Sequence, residues 1–167
     1  MDLNRYTFRS VWRINAPRAD VFAVLGDLSG YPAWWPEVRR ADRVDVTTFE
    51  LSCRSLLPYD LVFRSVQERY DPVDGVLQAR LLGDLDGFSR WTVTTDGHGT
   101  TAVFDEEVVA TKSLLRQLAP LARPAFRANH WLMMKHGQAG LRVYLAGYAA
   151  GASGENTLTW MGWTGEG

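Results

Sequence analysis

The chain has 167 residues, 46% hydrophobic and 12% aromatic, with seven Trp, one cysteine and a formal net charge of −1. That length suits one domain, and 18 basic against 19 acidic residues leave no charge excess to draw nucleic acid or a membrane surface. The single Cys53 excludes an intrachain disulfide and a cysteine-based metal cluster. The opening MDLNRYTFRSVWRIN has no apolar h-region, and no apolar run approaches the roughly 20 residues of a bilayer span. A cytoplasmic protein is expected.

Residues 6–14 alternate, with Tyr6, Phe8, Ser10, Trp12 and Ile14 on one face, which predicts a strand. Asn15-Ala16-Pro17-Arg18-Ala19-Asp20 then offers a capping side chain, a Pro suited to a first helical turn and an acid near the positive end of the dipole. Val21, Phe22, Val24, Leu25 and Leu28 give a short amphipathic helix. The segment from Ser29 to Pro36, with three aromatics and two prolines, predicts one irregular helical turn.

Six short apolar–polar segments follow, at about 37–46, 48–56, 60–70, 75–83, 86–95 and 100–111. Turn signals separate them: Pro58-Tyr59-Asp60, Asp71 to Gly75, Gly83-Asp84-Leu85-Asp86-Gly87 and Asp96-Gly97-His98-Gly99. Such a run of strands with short connections reads as an antiparallel meander. From Lys112 to Tyr148 one long helical pattern runs, interrupted by Pro120 and Pro124, and no acid occurs between Val108 and Gly154. Ala149–Gly154 is small and flexible in character. Glu155–Gly167 reads as a mobile tail in which Leu158, Trp160, Met161 and Trp163 are available to dock. The domain is thus expected over 1–148 and the tail over 149–167.

Strand, short helices, six strands and a long helix predict an α+β fold. A seven-stranded curved antiparallel sheet wraps the last helix, with two short helices between the first two strands. On a wheel of about 100° per residue, Phe126, His130, Met133, Met134, Gly137, Leu141, Tyr144, Leu145 and Tyr148 share one face. His130 sits at its centre, either as a satisfied core histidine or as a pocket donor or proton-transfer group. The methionine pair suits irregular ligands. Gly137 and Gly140 each cost the helix about 1 kcal/mol relative to Ala; they either leave room for a ligand or admit close approach of the sheet.

On the last strand, Glu106 is the odd member of the Ala102, Phe104, Glu106, Val108, Ala110 face; the opposite phase carries Asp105 and Glu107. Arg64, between Val62 and Val66, has the same ambiguity, and Arg54 is a candidate partner for either acid. Structural ion pairs are the default for these groups. Trp34 and Trp35 are candidates for the pocket mouth, one of them a core plug. Leu51, Cys53, Phe63, Trp91, Phe104 and Phe126 complete the expected apolar lining. Cys53 has no basic partner to activate it. His98 and His136 are expected to be exposed, and no metal-ligand spacing or cofactor motif is present. Gly83 to Gly87 lacks the further acids of a calcium loop and reads as a hairpin.

Several motifs carry a resemblance over about residues 5–148: Ile14-Asn15-Ala16-Pro17 with Asp20-Val21-Phe22; Tyr31-Pro32-Ala33-Trp34-Trp35-Pro36; Gly83 to Gly87; Trp91; Gly99-Thr100-Thr101; and Asn129-His130-Trp131, Met133 and Gly137 to Leu141. The chain resembles the START-like (SRPBCC) superfamily of polyketide cyclase/dehydrase and lipid-transport proteins, whose fold is the helix-grip. The resemblance implies a hydrophobic small-molecule ligand, such as a lipid, isoprenoid or polyketide-like aromatic, in a cavity between sheet and helix. It is compatible with catalysis and with plain binding alike. A cyclase, aromatase or dehydratase would use His130 for acid–base work with Glu106 and Arg64 orienting. A non-catalytic quinone or lipid chaperone would dock through the basic helix (Lys112, Arg116, Arg123, Arg127, Lys135, Arg142) on a partner or, weakly, on an anionic membrane. No cofactor is implied, and monomer and homodimer both remain open.

Overall fold

The computed structural model describes residues 4–54, 59–111 and 119–159, and within the last segment the side chains of 123–149. Expectations resting on Ser55, Pro58, Lys112, Arg116 and the side chains beyond 149 lie outside the described residues.

Strand β1 (Arg5–Ile14) buries Tyr6, Phe8, Trp12 and Ile14 and turns Arg5, Thr7 and Arg9 outward, as its alternation requires. Helix α1 (Arg18–Gly26) buries Val21, Phe22 and Leu25. Asn15 does not cap it: Pro17 occupies the N-cap, two residues later, and no side chain bonds the first turn. The Pro17 carbonyl instead accepts from the amides of Asp20 and Val21, both at 3.1 Å. Arg18 pins the helix to the sheet by donating to the carbonyls of Val93 (3.0 Å), Pro72 and Val73 (both 2.9 Å). A 3₁₀ turn (Leu28–Gly30) and the four-residue helix α2 (Tyr31–Trp34) replace the single expected turn.

The remaining strands are β2 (Val38–Arg43), β3 (Thr48–Cys53), β4 (Leu61–Asp71), β5 (Val76–Gly83), β6 (Leu85–Asp96) and β7 (Gly99–Ala110). They form one antiparallel sheet in the order β1-β7-β6-β5-β4-β3-β2, a meander whose last strand returns beside the first. Gly83 to Gly87 is a tight β5–β6 hairpin, with Leu81 opposite Gly87. Bulges at Val38/Arg40 and Gln67/Arg69 bend the sheet.

Strand β7 resolves its own phase. Thr100, Ala102, Phe104, Glu106, Val108 and Ala110 are buried, while Asp105 pairs with Arg9 (3.0 Å) and Glu107 with Arg5 on the outer face. Helix α3 (Ala119–Thr159) crosses the concave face. Phe126, His130, Met134, Gly137, Leu141 and Leu145, three or four residues apart, form its buried stripe. Three expected members fall outside: Met133 is half-buried, Tyr144 is 38% and Tyr148 60% exposed. Arg142 already donates to the Arg13 carbonyl near the end of β1 (2.7 Å), so Tyr148, past Leu145, outruns the sheet, whereas Tyr144 stands at the edge of the stripe beside the buried Leu145. The backbone remains helical to Thr159, beyond the Tyr148 end read from the sequence. Among the described residues, no helix is long and apolar enough to cross a membrane.

Candidate functional site

Two apolar clusters fill the space between sheet and helix. One gathers Trp12, Trp34, Trp35, Trp91 and Phe104 with the helices α1 and α2. The other gathers Tyr6, Phe8, Leu81, Val108 and Phe126. At their seam lies a buried polar contact. Glu106 of β7 points inward and its Oε2 is 3.0 Å from Nε2 of His130 on α3, each side chain 9% exposed. The approach is short but misaligned, so His130 Nε2 makes no well-formed hydrogen bond. The imidazole stacks on Phe8, with ring centres 3.7 Å apart and planes at 9°, and lies 6.2 Å from Phe104. The aromatic rings hold the imidazole in place beside the carboxyl group.

Glu106 also borders a cavity of about 120 Å³ between the sheet, the α1–α2 segment and α3. That volume is several times what one buried water requires. Of the residues expected to line it, Trp35, Leu51, Cys53, Phe63, Trp91, Phe104, Glu106 and Met133 do so. His130 stands behind Glu106 rather than on the wall. Trp34, Phe126, Met134 and Leu141 are buried in the packing and do not reach the cavity.

Two expectations are corrected. Arg64 is on the convex face, its side chain 55% exposed and its Nε 3.4 Å from Glu50 Oε2, so it cannot orient a ligand inside. Gly137 does not leave room for a guest either. A Cβ there would stand 2.8 Å from Trp35 Nε1 and 2.9 Å from Trp12 Cη2, and one at Gly140 would overlap the Trp34 carbonyl oxygen. The glycines admit the tryptophan segment to the helix backbone, where Trp35 Nε1 donates to the Met133 carbonyl at 3.0 Å. His136 clamps the same junction by bonding Glu37.

The sequence did not mark Leu25, Tyr31, Val38, Ser65, Gln67, Leu77, Leu81 or Ser89, all of which line the cavity. Register explains Ser89 and Gln67: Glu106 pairs with Ser89, Ser89 with Ala79 and Ala79 with Gln67, so one row of the concave face runs from the carboxyl group to Gln67, while Ser65 pairs with Leu81 in the next row. Burial pushes the Cys53 thiol up to about 12, helped by the charges of Glu106, Asp60 and Glu37, which makes it an inert wall. Burial likewise raises the Tyr31 phenol, against an opposing interaction with Trp91. The Tyr31 hydroxyl donates to the Leu25 carbonyl at 2.7 Å.

The basic helix face is partly committed within the chain. Arg123 lies over the Tyr6 ring at 5.4 Å, Lys135 over Trp131 at 5.1 Å, and Arg142 bonds Arg13.

Comparison with solved structures supports the same architecture. The Zhui aromatase/cyclase from Streptomyces sp. R1128 superposes with a TM-score of 0.73 at 16% identity, over 85% of this chain and 94% of that one. A START superfamily protein from Mycobacterium smegmatis gives 0.64 at 15% identity, over 85% and 98%. The di-domain aromatase/cyclase BexL of the BE-7585A biosynthetic pathway gives 0.67 at 16% identity; 86% of this chain is covered but only 50% of that one, so the chain spans about half its length. At such identities the likeness establishes the fold. No curated protein sequence matches significantly. Residues 5–145 match the family model described as polyketide cyclase/dehydrase and lipid transport, and the chain belongs to that family.

Proposed function

We propose that the protein binds a hydrophobic small molecule in the cavity between its sheet and α3. The observation that carries this reading is a cavity walled mainly by apolar and aromatic side chains, with Glu106 as the acid turned into it from the sheet. A guest that buries about 200 Å² of apolar surface there gains about 5 kcal/mol before ordering costs. Thermal denaturation with a panel of apolar alcohols, phenols and aromatic ketones tests it. A ligand at about 100 times its Kd adds about 2.7 kcal/mol, which raises Tm by roughly 5–10 °C in a chain of this size. No shift with any member counts against the reading.

The Glu106–His130 contact favours a second reading, acid–base chemistry on the bound guest of the kind a cyclase or dehydratase performs. Here Glu106 faces the substrate and His130 exchanges or stabilises its proton. Once a turnover is demonstrated, Glu106→Gln and His130→Ala should each lower kcat by about 10²-fold or more; unchanged turnover removes this reading.

A further inference from the structure

We propose that the guest is an uncharged molecule carrying a hydroxyl donor, an alcohol or phenol, and that free carboxylic acids are rejected. This rests on the hydrophobic-guest reading and deepens it.

Among the described residues the charged groups on the lining are Glu106 and Arg69, beside the neutral Ser65, Ser89, Gln67 and Gln78. Glu106 supplies carboxyl oxygens at the seam of the two apolar clusters; Oε2 lies 3.0 Å from His130 Nε2, and the carboxyl group borders the cavity. Ser89 is its cross-strand neighbour on the same face, and the buried Ser65 stands further along the wall. A hydroxyl both donates and accepts, so it can satisfy a carboxyl oxygen and a serine together.

The base beside Glu106, His130, stands behind the carboxyl group rather than on the wall, so it faces Glu106 and not a second acid in the cavity. Among the described residues the one Lys or Arg on the lining is Arg69, and its guanidinium is engaged by Asp71 at 2.8 Å and Asp74 at 2.9 Å. A fatty or aromatic acid that entered would place its carboxylate beside Glu106 with no cation to pair it, and like charges at such range repel. A cationic guest would lose its hydration to walls that are mostly apolar, a cost that an uncharged hydroxyl avoids.

The test is isothermal titration calorimetry of the full chain at pH 7 with four probes of one shape: 2-naphthol, 2-methoxynaphthalene, 2-naphthoate and 2-naphthylmethylamine. The expected order puts 2-naphthol first, by about tenfold or more over the ether and the acid, because a site built to accept a hydrogen bond penalises an analogue that cannot donate it. Glu106→Gln, which keeps size and supplies an N–H, should strengthen 2-naphthoate binding by about tenfold. Glu106→Leu should bring the alcohol and the ether within about threefold; if that variant fails to fold, the Gln result decides. Equal or tighter binding of the acid or the amine overturns the proposal, as does an acid affinity unchanged in Glu106→Gln. Binding of the ether without preference for the alcohol overturns the hydroxyl class and leaves the hydrophobic-guest reading standing. Binding of none of the four removes both.

Discussion

The indole of Trp35 fills the notch that Gly137 leaves in helix α3, close enough that a Cβ on Gly137 would stand 2.8 Å from its Nε1. The helix is seated by this contact, by the Trp35–Met133 hydrogen bond (3.0 Å) and by the approach of Trp34 to Gly140. The gap between helix and sheet on the Phe104 side is then what remains open as the cavity.

Gly137→Ala and Gly140→Ala therefore oppose helix propensity with packing. Propensity alone would stabilise each variant by about 1 kcal/mol. Overpacking against the tryptophans and, at Gly140, against a backbone oxygen should outweigh it, for a net destabilisation of about 1–3 kcal/mol. Urea unfolding of both variants reads the sign. A gain in stability would mean that the notch is empty space.

The Glu106–His130 contact should appear as coupling rather than as two independent losses. Each side chain is buried, so removing either leaves the other without its partner. A double-mutant cycle of Glu106→Gln and His130→Phe should give an interaction energy of about 1–3 kcal/mol. A value near zero would show that the two groups share a site without sensing each other.

Alkaline pH should weaken the fold. Cys53 moves from 9.0 to about 12 on burial, so its folded form keeps a proton that the unfolded chain releases. Its contribution is complete below pH 9.0 and declines between pH 9.0 and about 12, the direction for a group raised in the native state. Tyr31, raised above 10.0, adds a decline of the same sign from about pH 10. Each group contributes a slope of about 1.4 kcal/mol per pH unit. Cys53→Ala should flatten the fall in unfolding free energy between pH 9 and 10. The native thiol should also resist Ellman's reagent at pH 8 until the chain is unfolded; rapid native labelling would contradict its burial.

Arg64 supplies the contrast. Its exposed pair with Glu50 is separated from the cavity by the sheet itself. Arg64→Ala should change stability by about 0.5 kcal/mol or less and leave guest affinity within about twofold, read by the same calorimetry. A large loss of binding would restore it to the site.

The fold was legible because its signals are periodic and local. Strand β7 alternates cleanly, the turns between strands carry Asp, Gly and Pro, and the α3 stripe repeats at three and four residues. What failed to show depends on which wall is solid and which is hollow. Strand β4 turns Val62 outward, 42% exposed, and Ser65 inward, 3% exposed; an apolar-inward rule inverts that face, and the cavity wall makes the inversion tolerable. The same phase decides Arg64, which the sequence left open between inward and outward and which pairs with Glu50 on the outer face. Glu106 was visible as an intruder on an apolar face, but its partner lies 24 residues later on a different element. The role of Gly137 depends on Trp35, 102 positions earlier, which no helix wheel contains. Tyr148 keeps the stripe's periodicity past the end of the sheet that would have buried it, and Tyr144 lies at the stripe's edge beside the buried Leu145.

Native mass spectrometry of freshly purified protein, before and after addition of 2-naphthol and 2-methoxynaphthalene, tests the hydrophobic-guest reading most directly. It should show the chain carrying one small molecule, either co-purified or added, that departs on denaturation. A single unliganded species in every sample would contradict the claim that the space beside Glu106 holds a guest.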